Sequence, residues 1–340
     1  MTREAAIRAF IEQAGWGDAA RAPLAGDASA RRYERLRRGA QQAVLMDVPP
    51  ASGIGTVPFL GVTRWLRAAG FSAPEILAAD TGAGLVLLED LGDASFAALC
   101  ADGPGMEAML YGAAVDCLVA IQRVDPPEGE GGWMPPVYDL ATALREARLA
   151  AEWYLPVAQG AAAPAEAPAE YVELIEGAVG RELGGAPVPV LVDYHAESLF
   201  WLPGREGLAR VGIIDHQDLR IGPPAYDLVS VLEDARRDTG PELRAAMVRR
   251  YLDGTGREAA GFERAAAFWA AQRNLKILGL FTRLVRAEGK PRYLEMMPRV
   301  WAHLMRDLEH PALAGLAGWV RRNLPPPDAA VQARIRGAAA

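Results

Sequence analysis

Two aspartates carry the chemistry that this chain can be read for. Asp193 follows Val190-Leu191-Val192 and precedes Tyr194-His195-Ala196-Glu197-Ser198. Asp215 follows Val211-Gly212-Ile213-Ile214 and precedes His216-Gln217-Asp218. Each carboxylate ends an aliphatic run that reads as a buried strand. Between them lie one short apolar strand and a glycine-containing turn. A carboxylate that orients a hydroxyl and accepts its proton, with a second that holds a hard divalent cation, suits phosphoryl transfer. The plainer alternative is a pair of solvated loop aspartates.

The rest of the chain must position this pair. Its 340 residues allow two domains, or one large domain with a cleft, and 51% hydrophobic residues allow a sizeable core. No run of about 18 apolar residues is present, so no membrane span is expected. The amphipathic start, Arg3-Glu4-Ala5-Ala6-Ile7-Arg8, lacks the apolar core of a signal peptide, which points to the cytoplasm. Cys100 and Cys117 are expected as buried reduced thiols rather than a disulfide. Four histidines without a Cys/His cluster give no zinc pattern, and a net charge of -7 argues against a general nucleic-acid binder. Nothing calls for an obligate protein partner. The only lysines are Lys276 and Lys290, so none stands early in the chain, where many phosphate-handling enzymes need one.

The periodicity predicts a helix over 1–16, then strands over 31–36, 42–48 and 85–88 with a helix over 58–69. Residues 1–92 therefore read as a small β-rich lobe. Residues 93–325 read as mainly helical, with helices over 106–123, 140–154, 226–237, 241–253, 258–287, 291–309 and 312–323. The low-complexity run 159–168 reads as a surface loop. Residues 326–340, beginning within the helix-stopping run Pro325-Pro326-Pro327, read as a flexible tail.

In order and spacing these stretches resemble the aminoglycoside phosphotransferase and choline kinase branch of the protein-kinase-like fold. Within it they look most like the bacterial anomeric N-acetylmuramate/N-acetylglucosamine kinases. The resemblance rests on Gly26-Asp27-Ala28-Ser29 with Arg31-Arg32-Tyr33, Val44-Leu45-Met46-Asp47, Leu87-Leu88-Glu89-Asp90-Leu91-Gly92-Asp93, the two aspartate segments, Tyr226-Asp227-Leu228, Gln272-Arg273-Asn274-Leu275-Lys276 and Gly279-Leu280-Phe281-Thr282-Arg283-Leu284. It implies an α+β, bilobal fold, with a small β-rich N-lobe and a large mainly helical C-lobe, that binds ATP and Mg2+ in the cleft. Residues 88–92, with Glu89, Asp90 and Leu91, would form the hinge that meets adenine. Asp193 would be the catalytic base, and Asp215 with Ser198 the metal ligands. The acceptor would be a small-molecule sugar, with His195, Gln217, Asp218 and Arg273 as candidate contacts.

Three departures from that family pattern stand out. Leu191 and Val192 replace the histidine and the small or basic residue before the catalytic aspartate. Ser198 stands where the family has asparagine, which weakens a second metal site. Met46 replaces the strand lysine, and residues 56–70 contain no acid to have paired with it. Loss of both halves leaves no buried unpaired charge, and the amino-sugar kinases resembled here share the methionine. Arg31, Arg32 and Arg35 are then the candidates for phosphate, unless they only form an exposed basic edge. Asp227 reads as structural, at a helix start. Two rival readings remain: a kinase of another acceptor such as an aminoglycoside or choline-like alcohol, and a nucleotide-binding pseudokinase.

Overall fold

Alternation in the strands decides which residues meet which layer. In a computed structural model describing residues 2–24, 31–129, 131–160, 166–183 and 185–337, the N-terminal segment forms α1 (Arg3–Gln13), β1 (Ala20–Pro23), β2 (Arg32–Arg38), β3 (Gln41–Asp47), α2 (Val57–Ala68), β4 (Ile76–Asp80) and β5 (Leu85–Glu89). The strands make one antiparallel sheet in the order β1-β2-β3-β5-β4. Ala43 and Leu45 of β3 bury against Ile7, Phe10 and Ile11 of α1. Met46 and Val48 bury on the opposite face against Phe59 and Leu60 of α2. This is the period of two that a strand imposes. The Gly26–Ser29 motif lies outside the described residues.

The chain continues through α3 (Phe96–Asp102) and α4 (Glu107–Ile121), where Cys100 and Cys117 are buried. It then forms α5 (Leu140–Leu149), a π-helical turn over Ala150–Tyr154, α6 (Leu155–Gln159), α7 (Ala167–Glu182), β6 (Val188–Val190), β7 (Leu199–Trp201), β8 (Val211–Ile213) and β9 (Arg220–Gly222). The remaining helices are α8 (Tyr226–Leu232), α9 (Pro241–Thr255), α10 (Ala259–Glu288), α11 (Met297–Asp307), α12 (Ala314–Asn323) and α13 (Ala329–Gly337). The α+β class, a small sheet lobe and a mainly helical remainder, is as the resemblance implies.

Two units result. One is Met1–Pro136 with Ala196–Leu219, and the other is Val137–His195 with Arg220–Ala340. The division does not fall at residue 92. Ser95 bridges Phe200 and Ser72 bridges Gly212, so the β7–β8 hairpin and the α3–α4 segment join the sheet unit through long-range pairing. The segment after Pro327 also differs from the expected flexible tail. Asp328 caps α13 by accepting from the Val331 amide at 2.8 Å, and Val331 and Ile335, one helical turn apart, are buried. In the second unit α10 is the long central helix. At Gly279 an added Cβ would lie 2.2 Å from the Leu149 carbonyl, so the two helix backbones touch where α5 passes into its π turn.

Candidate active site

The sheet unit holds a cavity of about 260 Å³ whose walls include Arg31, Tyr33, Arg35, Val44, Phe59, Leu88 and Asp215. Alternation explains the selection on β2: residues 31, 33 and 35 share a face, and Leu36 is buried toward α1 on the other. Arg32 falls on that other face and is exposed, so the structure does not bring it to the cavity with Arg31. Met46 pairs with Tyr33 across the strands and is fully buried in apolar core. The family's lysine position has thus become packing.

Glu89, Asp90 and Leu91 all line the same cavity. Both acids are already engaged. Arg35 Nε lies 2.6 Å from Asp90 Oδ2 and its Nη2 lies 2.8 Å from Asp93 Oδ1, while Glu89 pairs with Arg205. Their side chains therefore shape the wall, and any recognition of a base by this segment falls to its backbone and to Leu91.

Asp215 follows β8 with φ +58°, a left-handed conformation that a non-glycine residue seldom adopts. The preceding Ile214 amide donates to the Ser198 carbonyl at 3.0 Å, extending the β7–β8 ladder. The structure therefore sets Ser198 and Asp215 at neighbouring ends of one hairpin. Ser198 is buried. Burial, and then the Asp215 charge, push the Tyr33 hydroxyl well above the usual phenol range. His216 is fully buried, stacks on Phe59 with centroids 5.0 Å apart, and lies 2.7 Å through Nε2 from Thr63 Oγ1. Burial pushes His216 down to about 4, so its ring is neutral. Gln217 is buried beside an exposed Asp218, with 3.3 Å between Nε2 and Oδ2, and neither lines the cavity.

In the second unit β6 pairs with β9 and leads into Leu191, Val192 and Asp193. The Asp193 amide donates to the Leu191 carbonyl at 2.9 Å across Val192, whose φ is +72°. This is a γ-turn of the rare, strained hand, with a β-branched residue at its centre. Asp227 holds it: Oδ2 accepts from the Leu191 amide at 2.6 Å and Oδ1 from the Val192 amide at 2.9 Å. Ser230 Oγ donates to the Val192 carbonyl at 3.2 Å. Asp227 is structural, as the sequence suggests, but its carboxylate serves these two amides rather than its own helix. Burial pushes it up to about 7 against the opposing pull of those hydrogen bonds.

Beside this turn lies a buried polar cluster. Lys276 Nζ sits 2.9 Å from Glu146 Oε1 and 3.2 Å from Tyr226 Oη, and Tyr138 donates its hydroxyl to Glu146. Against the cost of burial, Tyr226, then Glu146 and, more weakly, Asp193 hold the Lys276 ammonium above its usual range. Arg273 is buried on α10, its Nη1 3.4 Å from the Glu233 carbonyl, and His195 is buried after Asp193. The sequence missed Thr63, which has no partner signal in a polar–apolar helix pattern, and the roles of Tyr33 and Tyr138.

Comparison with known proteins places this geometry. The chain belongs to the phosphotransferase enzyme family, whose model matches residues 21–268. An N-acetylmuramate/N-acetylglucosamine kinase of Caulobacter vibrioides is 39% identical over 360 residues, covering 95% of this chain and 97% of that relative. A kinase of the same name from Pseudomonas aeruginosa is 34% identical over 303 residues, 85% of each chain. Among solved structures, choline kinase LicA from Streptococcus pneumoniae superposes with a TM-score of 0.60 at 12% identity, covering 92% of this chain and 98% of the other. An aminoglycoside-3'-phosphotransferase of type VIII gives 0.56 at 18% identity, covering 82% and 98%. These two likenesses are of fold.

Proposed function

We propose that this protein transfers the terminal phosphoryl group of ATP to the anomeric hydroxyl of N-acetylmuramate or N-acetylglucosamine, as a cytoplasmic step of cell-wall sugar recycling. The observation that carries the reading is 39% identity along 95% of the chain to a kinase named for those two sugars. The site's construction supports it. The family's two aspartates are present as Asp193 and Asp215, each on a loop that is braced at its backbone.

Asp193 orients the acceptor hydroxyl and takes its proton as the phosphoryl group leaves. Asp227 fixes the turn from which it projects. Arg31, on the cavity wall, supplies charge to the phosphates in place of the absent strand lysine. Asp215 and Ser198 offer a carboxylate and a hydroxyl, both hard oxygen donors, from adjacent strand ends. Among the described residues no group of three or more His, Cys, Asp or Glu side chains could hold a metal by itself. That donor set suits Mg2+, which keeps several waters and completes its shell with phosphate oxygens. When bound, Mg2+ would neutralise the charge that develops on those oxygens. No helix among the described residues is long and apolar enough to cross a membrane.

Incubation with ATP, magnesium and a mixed sugar pool, followed by product identification, tests the reading. The expected product is an amino-sugar 1-phosphate that disappears in D193N. Phosphorylation of an aminoglycoside or choline in place of either sugar would reassign the acceptor. Nucleotide binding without any product would establish the pseudokinase reading that Leu191, Val192 and Ser198 favour.

A further inference from the structure

Residues 56–70 contain no acid and Met46 is core, so α2 lacks the strand-lysine ion pair of the family pattern; its Arg67 reaches only as near as 3.8 Å to Glu89 on the cavity wall. A different connection exists. Phe59 and Thr63 lie one turn apart on α2 and grip the residue after Asp215: Phe59 stacks on the His216 ring at 22°, and Thr63 Oγ1 meets His216 Nε2 at 2.7 Å. Thr63 and His216 are both 0% exposed.

Thr63 Oγ1 also lies 2.7 Å from the Phe59 carbonyl four residues earlier. The hydroxyl is thus held between a backbone carbonyl of its own helix and the ring nitrogen, and these two contacts, with the Phe59 stack, fix the orientation of the imidazole.

Asp215 is thus held from both sides. The Ser198–Ile214 bond fixes the backbone before it, and the α2 grip fixes the side chain after it. A left-handed non-glycine residue is strained and persists only where its surroundings over-determine it. We propose that the Thr63–His216 hydrogen bond is the positioning device for Asp215, taking the place of the missing ion pair in coupling α2 to the metal-binding loop. The inference rests on Asp215 as a magnesium ligand. Thr63 acts through His216 and touches no substrate.

Calorimetric titration of ADP across a magnesium series tests it without requiring sugar turnover. Removal of an outer partner of a metal ligand typically costs about 10–100-fold in metal affinity. T63V, isosteric but without the hydroxyl, is expected to raise the half-saturating magnesium concentration for ADP binding by that factor. The magnesium-free ADP affinity should stay unchanged, and T63S should restore the wild-type value. T63A makes the same deletion without pressing a methyl group on the imidazole, and serves if T63V folds poorly. D215N sets the limit of lost magnesium dependence. If D215N loses that dependence while T63V and T63A keep it, the tether is refuted and the metal role of Asp215 stands. An equal loss of magnesium-free affinity would also refute it, as general damage to the cavity. If D215N keeps the wild-type dependence, the premise itself is wrong.

Discussion

Asp227→Asn perturbs the structure where fold and chemistry meet. Asp227 is fully buried, and each of its oxygens accepts one backbone amide of the strained turn before Asp193. Asparagine has one acceptor, so its amide group must oppose either Leu191 N–H or Val192 N–H. Losing one hydrogen bond and stranding a buried donor together cost about 2–4 kcal/mol. Opposing this, asparagine carries no charge to desolvate. The folded-state pKa of Asp227 is raised from 3.8 to about 7, so the folded protein retains a proton that the unfolded chain releases. Its contribution is complete below the unfolded pKa and is lost as pH rises through the folded one, and 3.8 to about 7 corresponds to roughly 4 kcal/mol. D227N should therefore be most destabilised near pH 4–5, with the deficit shrinking toward pH 8, as read by urea unfolding of both proteins across that range. At pH 8, where the variant stays folded, kcat should still fall on the order of 100-fold, because a turn free to relax misplaces Asp193. A deficit that does not change with pH would refute the burial argument. An unchanged kcat would refute the bracing role.

Three further predictions test other parts of the site. K276M alone should cost about 3–5 kcal/mol by stranding Glu146, while K276M with E146Q should recover much of that loss in a denaturant double-mutant cycle. R31A should raise KM for ATP about tenfold with little change in the sugar KM, as expected for one lost charge-assisted contact; R32A, altering an exposed side chain on the other face, should change neither in steady-state kinetics. G279A would gain about 1 kcal/mol from helix propensity alone, but its Cβ would lie 2.2 Å from the Leu149 backbone. A net loss of several kcal/mol, measured by thermal unfolding, is expected, and a more stable variant would show that the close approach is wrong.

How much of this was legible in the sequence depended on how local each cause was. The aspartate-bearing loops follow from apolar strands that end at a carboxylate, and β3 follows from a clear alternation. On β2 the large apolar residues, Tyr33 and Leu36, have opposite parity, so the pattern does not give the phase that separates Arg31 from Arg32. Only the register with β3, Tyr33 against Met46, supplies it. The helix after Pro327 has a local signal, an aspartate three residues before Val331 at the start of an Ala/Arg run. By contrast, the union of residues 93–136 and 196–219 with the sheet depends on bridges between residues more than a hundred positions apart.

The grip of α2 on His216, and the reach of Asp227 to Leu191 and Val192, are long-range in the same sense. A carboxylate in the first turn of a helix looks like an ordinary partner for that helix's amides. Nothing nearby in sequence marks it as the partner of a turn more than thirty residues earlier. Val192 is the sharpest case, because valine disfavours positive φ and propensity argues against the conformation it adopts. Local preference and tertiary demand disagree most where a side chain must be held for chemistry. The strained positions at Val192 and Asp215 are therefore informative about function because the sequence around them does not predict them.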